Sequence, residues 1–220
     1  MLVCQQRMHS RLAVLAGSRV SCYLRRMHSP GVCGVILAAG SQVWVGDAPL
    51  PKTKAEGLSE LIEALNTDTE MVLVAGGADA EALTPVVWAK AAYMVQLPAS
   101  ASDADALRVM LQEVLNRGRD AALVTALDGR GLTSETVHRM VAAYCAAGDE
   151  IWAVVPEAEM QQGHPVLMGR RMIELFLRGQ KWNAADEILS ANLEHVRIVK
   201  VGDPAASTVV PGTAWKAPWD

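Results

Sequence analysis

Several chemistries are excluded by what the chain does not contain. No apolar run approaches the roughly 20 residues a helix needs to cross a bilayer, so a helical membrane span is not expected. The four cysteines (Cys4, Cys22, Cys33 and Cys145) form neither a C-x-x-C pair nor any zinc spacing. Reduced thiols and a cytoplasmic location are the simplest account of them. No G-x-S-x-G elbow follows any apolar run, which argues against a Ser–His–Asp hydrolase. The dinucleotide pattern G-x-G-x-x-G and the Walker ending Gly-Lys-Ser/Thr are both missing. Phenylalanine is nearly absent, one residue against six Trp and ten Met, so the core must rest on Val, Leu, Ala and Met.

Acid is missing from one end. Residues 1–26 carry five Arg (Arg7, Arg11, Arg19, Arg25 and Arg26) and no Asp or Glu. Taking these from the 20 Lys+Arg leaves about 15 against 24 Asp+Glu, a net of about −9 for the remainder. An acidic body lacks the basic face that neutralises phosphates along a polymer, so no nucleic-acid partner is expected. Small molecules or proteins fit better. The basic head resembles a targeting leader, yet Arg7-Met8-His9-Ser10 is echoed by Arg26-Met27-His28-Ser29 just before the first strand pattern. The reading adopted is an extension over 1–26, disordered or from a misassigned start, followed by a single domain over 27–220.

What is present is an alternation of strand and helix patterns over 220 residues, enough for one full core. Val32–Ala38, Glu70–Ala75, Ala92–Leu97, Asp120–Ala126 and Glu150–Val155 read as strands. Between them, helices are expected over Ala55–Leu65, Ala78–Leu83, Ser102–Asn116 and Ser134–Ala147. Leu58, Leu61, Ile62 and Leu65 share one face of the first of these, and Ser102 is placed to cap the third. After Pro156 the rhythm changes: His164–Met168 reads as a short strand, Arg170–Leu177 and Ala184–Ala191 as helices, and Val196–Val201 as a last strand. Such alternation calls for an α/β fold of three layers, a mostly parallel sheet with helices on both faces joined by right-handed crossovers.

Ligands of open parallel sheets bind at the carboxyl ends of the strands. Three segments belong there: the Gly40–Lys54 loop, the Gly76-Gly77 turn, and Asp128. A glycine turn leaving a buried strand lets main chain approach a phosphate closely, but it is also an ordinary way to end a strand. Asp128 suits a metal or a nucleotide; it could equally cap the following helix. Trp44 could stack on a ring or cover nearby core. Lys52 and Lys54 read most simply as solvated charges, and His138 and His195 as ordinary surface or half-buried residues.

The run Val35-Ile36-Leu37-Ala38-Ala39-Gly40, with Gly46 six residues on, resembles the L-A-A-G-x-S-x-R-x-G signature of the MobA-like nucleotidyltransferases. The similarity continues through Leu123-Val124-Thr125-Ala126-Leu127-Asp128. Gly163-His164-Pro165-Val166-Leu167 resembles the G-H-P-V segment of the MocA-like molybdopterin cytidylyltransferase branch. Order and spacing agree from about Val32 to Val201. The resemblance implies a Rossmann-like nucleotidyltransferase fold and attack of a molybdopterin-type acceptor on the α-phosphate of an NTP (CTP or GTP), releasing pyrophosphate. It implies a nucleotide site at Leu37, Ala38, Ala39, Gly40, Gly46, Lys52 and Gly76. It further implies Mg²⁺ at Asp128, acceptor contact at His164, and a molybdoenzyme as protein partner.

Departures from the family pattern fall at one place. The family's Arg and Ser stand at Trp44 and Gln42, and tryptophan has no guanidinium fork for phosphate. The family's Lys falls near Pro49, leaving Lys52 or Lys54 as substitutes. Arg130 replaces a proline. The late acidic segment is met by Ser207-Thr208-Val209-Val210-Pro211-Gly212, with no acid, so Asp203 is the nearest remaining carboxylate. The base-and-ribose stretch becomes Leu97–Asp103, and a late Gly-Asp-x-Gly becomes Gly179-Gln180-Lys181-Trp182. Loss of one transition-state phosphate donor costs on the order of 100-fold to 1000-fold. The expectation is a nucleotide- or cofactor-binding protein whose catalysis is lost or strongly reduced, a pseudoenzyme. The alternative is an active, divergent, Mg²⁺-dependent nucleotidyltransferase of molybdenum-cofactor synthesis, with Lys52 or Lys54 and Asp203 filling the gaps.

Overall fold

Strand β1, Val32–Ala38, is buried along all seven residues, as a strand must be when helices cover both its faces. Our computed structural model describes residues 31–39, 54–127, 132–158, 161–179 and 185–202, all within one compact unit, Gly31–Asp220. The other strands are β2 (Met71–Gly76), β3 (Tyr93–Gln96), β4 (Ala121–Ala126), β5 (Ala153–Ala158), β6 (Gln161–Gln162), β7 (Val166–Gly169) and β8 (Val196–Lys200). The helices are α1 (Lys54–Asn66), α2 (Ala80–Ala89), α3 (Asp103–Asn116), α4 (Ser134–Ala147), α5 (Arg170–Arg178) and α6 (Ala185–Ser190).

They form one eight-stranded sheet in the order β3-β2-β1-β4-β7-β5-β6, with β8 also paired to β5. The β1–β2, β1–β4, β2–β3 and β5–β8 pairs are parallel. Strand β7 runs antiparallel between β4 and β5, and β6 antiparallel to β5. The expected three-layer, mostly parallel α/β architecture is the one observed.

Alternation along β1 sends its side chains to two separate cores. Cys33, Val35 and Leu37 join Met110, Leu111 and Val114 of α3 and Met172, Ile173 and Phe176 of α5. Val32, Ile36 and Ala38 join Leu58, Ile62 and Leu65 of α1, Leu83 and Val87 of α2, and Val137 and Met140 of α4. Each fully buried side chain of this size contributes about 1.5–3 kcal/mol. The helix layers also explain the winding. Helices α1 and α2 lie on one face while the chain steps outward from β1 to β3. Helix α3 crosses on the other face as it returns to β4, which right-handed crossovers require when direction reverses.

Three elements differ from the sequence expectation. Helix α2 runs on to Ala89, through Pro85, because Leu83 and Val87 continue its buried stripe. The segment expected to start a strand at Glu150 is a 3₁₀ turn, Gly148–Glu150, entered at a positive φ of 69° on Gly148. Strand β5 then begins at Ala153 and continues past Pro156. The ladder to β7 has already ended at Val154, so the N–H that proline lacks has no β7 partner to lose. Finally, β7 begins at Val166, which leaves His164 in the bend before it. No helix among the described residues is long and apolar enough to cross a membrane.

Candidate nucleotide site at the sheet switch point

The reversal of strand order falls between β1 and β4, and their carboxyl ends sit side by side. Leu37 is level with Ala126, and the Leu127 N–H donates to the Leu37 carbonyl at 3.0 Å. The two segments that leave this point, after Ala39 and after Leu127, are those singled out in the sequence. Leu37, Ala38 and Ala39 are buried and bring the chain to this edge. Gly40, Trp44, Gly46, Lys52, Asp128, Arg130 and Asp203 lie outside the described residues.

Strand β2 ends beside β1, with Ala38 level with Gly76. Gly76 carries the turn in two ways. Its carbonyl accepts from the Leu97 N–H at 2.8 Å. It also has no room for a side chain, since a Cβ would lie 2.7 Å from the Ala80 Cβ. Gly77 is tighter against β1, where a Cβ would stand 2.7 Å from the Ala39 carbonyl oxygen and 3.1 Å from its Cα. Close packing of two exits thus demands glycine at both positions.

Helices α1, α2, α3 and α4 all begin at this edge, because each follows a strand that ends there. Their N-terminal dipoles give the edge a bias toward anions. Ser102 caps α3 as expected and forms a reciprocal box with Asp105: the Asp105 N–H donates to Ser102 Oγ at 3.2 Å, and the Ser102 N–H donates to Asp105 Oδ2 at 3.3 Å, where the Ser102 hydroxyl also donates at 2.6 Å. That bonding, strongest from the Ser102 hydroxyl and then its backbone N–H, holds the Asp105 carboxyl below its usual range. Thr133 caps α4 through the Thr136 N–H at 3.3 Å. The alternative role for Asp128, capping that helix, is therefore filled by another residue.

Lys54 is the first residue of α1, not a free loop charge. Its Nζ pairs with Asp79 Oδ2 at 2.5 Å. Asp79 stands at the N-cap position of α2 but makes no capping hydrogen bond. Sequence patterns did not single it out, although a carboxylate two residues after a Gly-Gly turn and just before a helix is a recognisable cap signal.

His164 reaches the same edge from β7. Val166 is level with Val124 in the antiparallel ladder, and His164, in the bend just before it, faces the Val124 backbone near the end of β4. The residue keeps some exposed surface, but both ring nitrogens are buried and without a hydrogen-bond partner. Burial pushes the imidazole down to about 4, opposed by the Val124 backbone carbonyl, which faces the ring without reaching hydrogen-bond geometry. A neutral imidazole is thus held, unsatisfied, at the strand ends.

The two histidines expected to be ordinary lie elsewhere. His138 pairs with Asp68 at 3.0 Å on the surface. His195 stacks on Trp152 at 3.5 Å and shares a hydrogen bond between Nδ1 and the Glu150 carbonyl at 2.8 Å. Cys33 is buried within β1, its thiol pushed up to about 12 by desolvation, and Cys145 is on the exposed side of α4. Among the described residues no group of three or more His, Cys, Asp or Glu could hold a metal ion. The described donors do not by themselves build a magnesium centre.

A doubly wound sheet with an anion-biased crevice at its switch point defines a nucleotide-handling class of α/β protein. Over residues 34–196 the sequence matches the MobA-like NTP transferase domain, and the chain belongs to that family. No curated protein matches it significantly. Among solved structures, the chain is similar to Rv0371c of Mycobacterium tuberculosis in complex with manganese, at 19% identity and a TM-score of 0.60, covering 78% of this chain and 89% of that one. It is also similar to 4-diphosphocytidyl-2C-methyl-D-erythritol synthase of Anaerococcus prevotii, at 11% identity and 0.64, covering 86% and 92%. A cytidylyltransferase of Leptospira borgpetersenii gives 14% and 0.59, covering 81% and 79%. At these identities the likeness is one of fold.

Proposed function

We propose that this protein binds a nucleoside triphosphate at the β1/β4 switch point, has lost or strongly reduced nucleotidyl transfer, and acts as a cytoplasmic nucleotide-, cofactor- or partner-binding protein. Its acceptor or cofactor is of molybdopterin type and its protein partner a molybdoenzyme, with His164 on the acceptor side. The domain begins near Met27. One observation carries the binding half of this reading: the β1 and β4 exits lie hydrogen-bonded side by side, with the Gly76-Gly77 turn packed against Ala39. The catalytic half rests on the sequence, where Trp44 replaces the family's phosphate-binding Arg and no acid stands in the late metal segment.

A second reading is favoured by a different observation. Lys54 stands at the start of α1 beside the same turn, close enough in the chain to serve in place of the missing Arg. With Asp128 and Asp203 as ligands for Mg²⁺, the protein would then be an active, divergent nucleotidyltransferase of molybdenum-cofactor synthesis. The manganese bound by a structural neighbour is compatible with a divalent ion in this fold. Pyrophosphate release from CTP, GTP and ATP, with Mg²⁺ and molybdopterin, separates the two. We expect nucleotide binding without appreciable turnover. Sustained release that disappears in Asp128→Ala would overturn the degenerate reading in favour of the active one.

A further inference from the structure

We propose that Asp79 is a positioning residue that holds Lys54 across the mouth of the crevice and surrenders it to a ligand phosphate. The proposal rests on the nucleotide-binding reading above and names the polyphosphate moiety as the group that Lys54 meets.

The pair joins two exits. Lys54 opens the helix reached from β1, and Asp79 opens the helix reached from β2. The strand ends are in register at Ala38 and Gly76, and Gly77 packs directly on the Ala39 main chain. An ammonium at a helix N-terminus is opposed by the dipole of its own helix. A carboxylate across the gap offsets that, and so would a phosphate.

Asp79 does not behave as an N-cap. The two hydroxyl caps, Ser102 and Thr133, have extended backbones with ψ of 162° and 152°, and each accepts a first-turn N–H. Asp79 has φ −92° and ψ 7° and accepts none, its carboxylate being turned to Lys54. When Lys54 moves to a phosphate, Asp79 is left at the one position where a free carboxylate has first-turn N–H donors within reach. Both charges therefore have a second partner, and exchange leaves neither bare. The side chains are 32% and 52% exposed, and exposed pairs are weak, so several phosphate charges outcompete a single carboxylate.

The test is titration calorimetry at fixed salt with CTP, GTP, ATP and inorganic tripolyphosphate. Asp79→Asn, and Asp79→Ser as a second variant able to cap α2, are compared with wild type. We expect both to bind polyphosphate roughly three-fold tighter, on the scale of an exposed ion pair. The gain should vanish in the Lys54→Met background, and Lys54→Met alone should weaken binding. Urea unfolding of the same four-member cycle measures the ion pair whether or not nucleotide binds. Unchanged or weaker binding in the Asp79 variants, with lost stability, would make the pair a structural tether and overturn the proposal. A gain that persists without Lys54 would overturn it too, since Asp79 would then act by simple repulsion. If wild type and variants bind none of the four ligands, the nucleotide reading itself fails and takes this proposal with it, while the unfolding cycle still reports the pair.

Discussion

Acidification should expose His164. Burial pushes its imidazole down to about 4 in the fold, against the ordinary 6.5, so the unfolded chain takes up the proton first as pH falls. Stability from this residue is complete above about pH 6.5 and declines as pH drops toward 4, where it levels off. The full span, at about 1.4 kcal/mol per pH unit between the two values, is roughly 3 kcal/mol; about 2 kcal/mol of it is lost between about pH 7 and about pH 5. The perturbation is His164→Leu, which removes the titration and the two unpartnered ring nitrogens. Urea unfolding followed by tryptophan fluorescence at the two pH values gives the comparison. All other groups titrate alike in both proteins, so wild type should lose about 2 kcal/mol more than the variant. At neutral pH the variant should be as stable as wild type or about 1 kcal/mol more stable, because an unsatisfied buried polar group is gone. Equal losses on acidification would refute the account of His164 as a dry, neutral imidazole. If the residue contacts an acceptor, the same variant gives up that binding while keeping its fold.

Other consequences are simpler to measure. Gly77→Ala puts a Cβ 2.7 Å from the Ala39 carbonyl oxygen, main chain that cannot swing aside; a destabilisation of about 1–3 kcal/mol is expected in thermal or urea unfolding, and an unchanged midpoint would contradict the close packing of the two exits. Ser102→Ala removes the side-chain half of the α3 capping box and leaves the backbone N–H to Asp105 in place; it should cost about 1 kcal/mol, with Ser102→Asn largely sparing it. His138 titrates above 6.5 because the Asp68 carboxylate bonds and attracts it. Its contribution to stability is present below about pH 6.5 and fades as pH rises through the raised folded value. An NMR titration of the ring should show that elevation, and Asp68→Asn should abolish it.

Much of the frame was readable because it is local. Strand β1 matches its expected bounds, a seven-residue buried run between glycines, and so does α4, which a threonine caps at one end and Gly148 leaves at the other. Ser102 was legible as a cap, though its reciprocity with Asp105 needed side-chain geometry. Pattern alone could not give strand direction, so the antiparallel insertion of β7 beside β4 was not foreseen. It also overrated Pro156 as a terminator, since a proline stops a strand only where its N–H is wanted. The site was legible at β1, whose motif neighbours are close in sequence, while Asp128 lies outside the described residues. It was illegible at Asp79, and at His164 the motif marked the residue but not the dry setting of its ring. Lys54 lies 25 positions from Asp79, and the ring of His164 is dried by β4, some 40 residues upstream by Val124. Contacts made across such distances leave no periodic trace.

Strand β1 also sets an order of events during synthesis. It is made before every other described element, yet it belongs at the centre of the sheet, and its two neighbours are completed only at Gly76 and Ala126. Until the ribosome has extruded β4, a seven-residue apolar strand waits with one open edge and nothing to complete its second core. Shortened chains that stop before Ala126 should therefore be the aggregation-prone ones, whereas chains reaching past Gly169 carry every strand between β3 and β7.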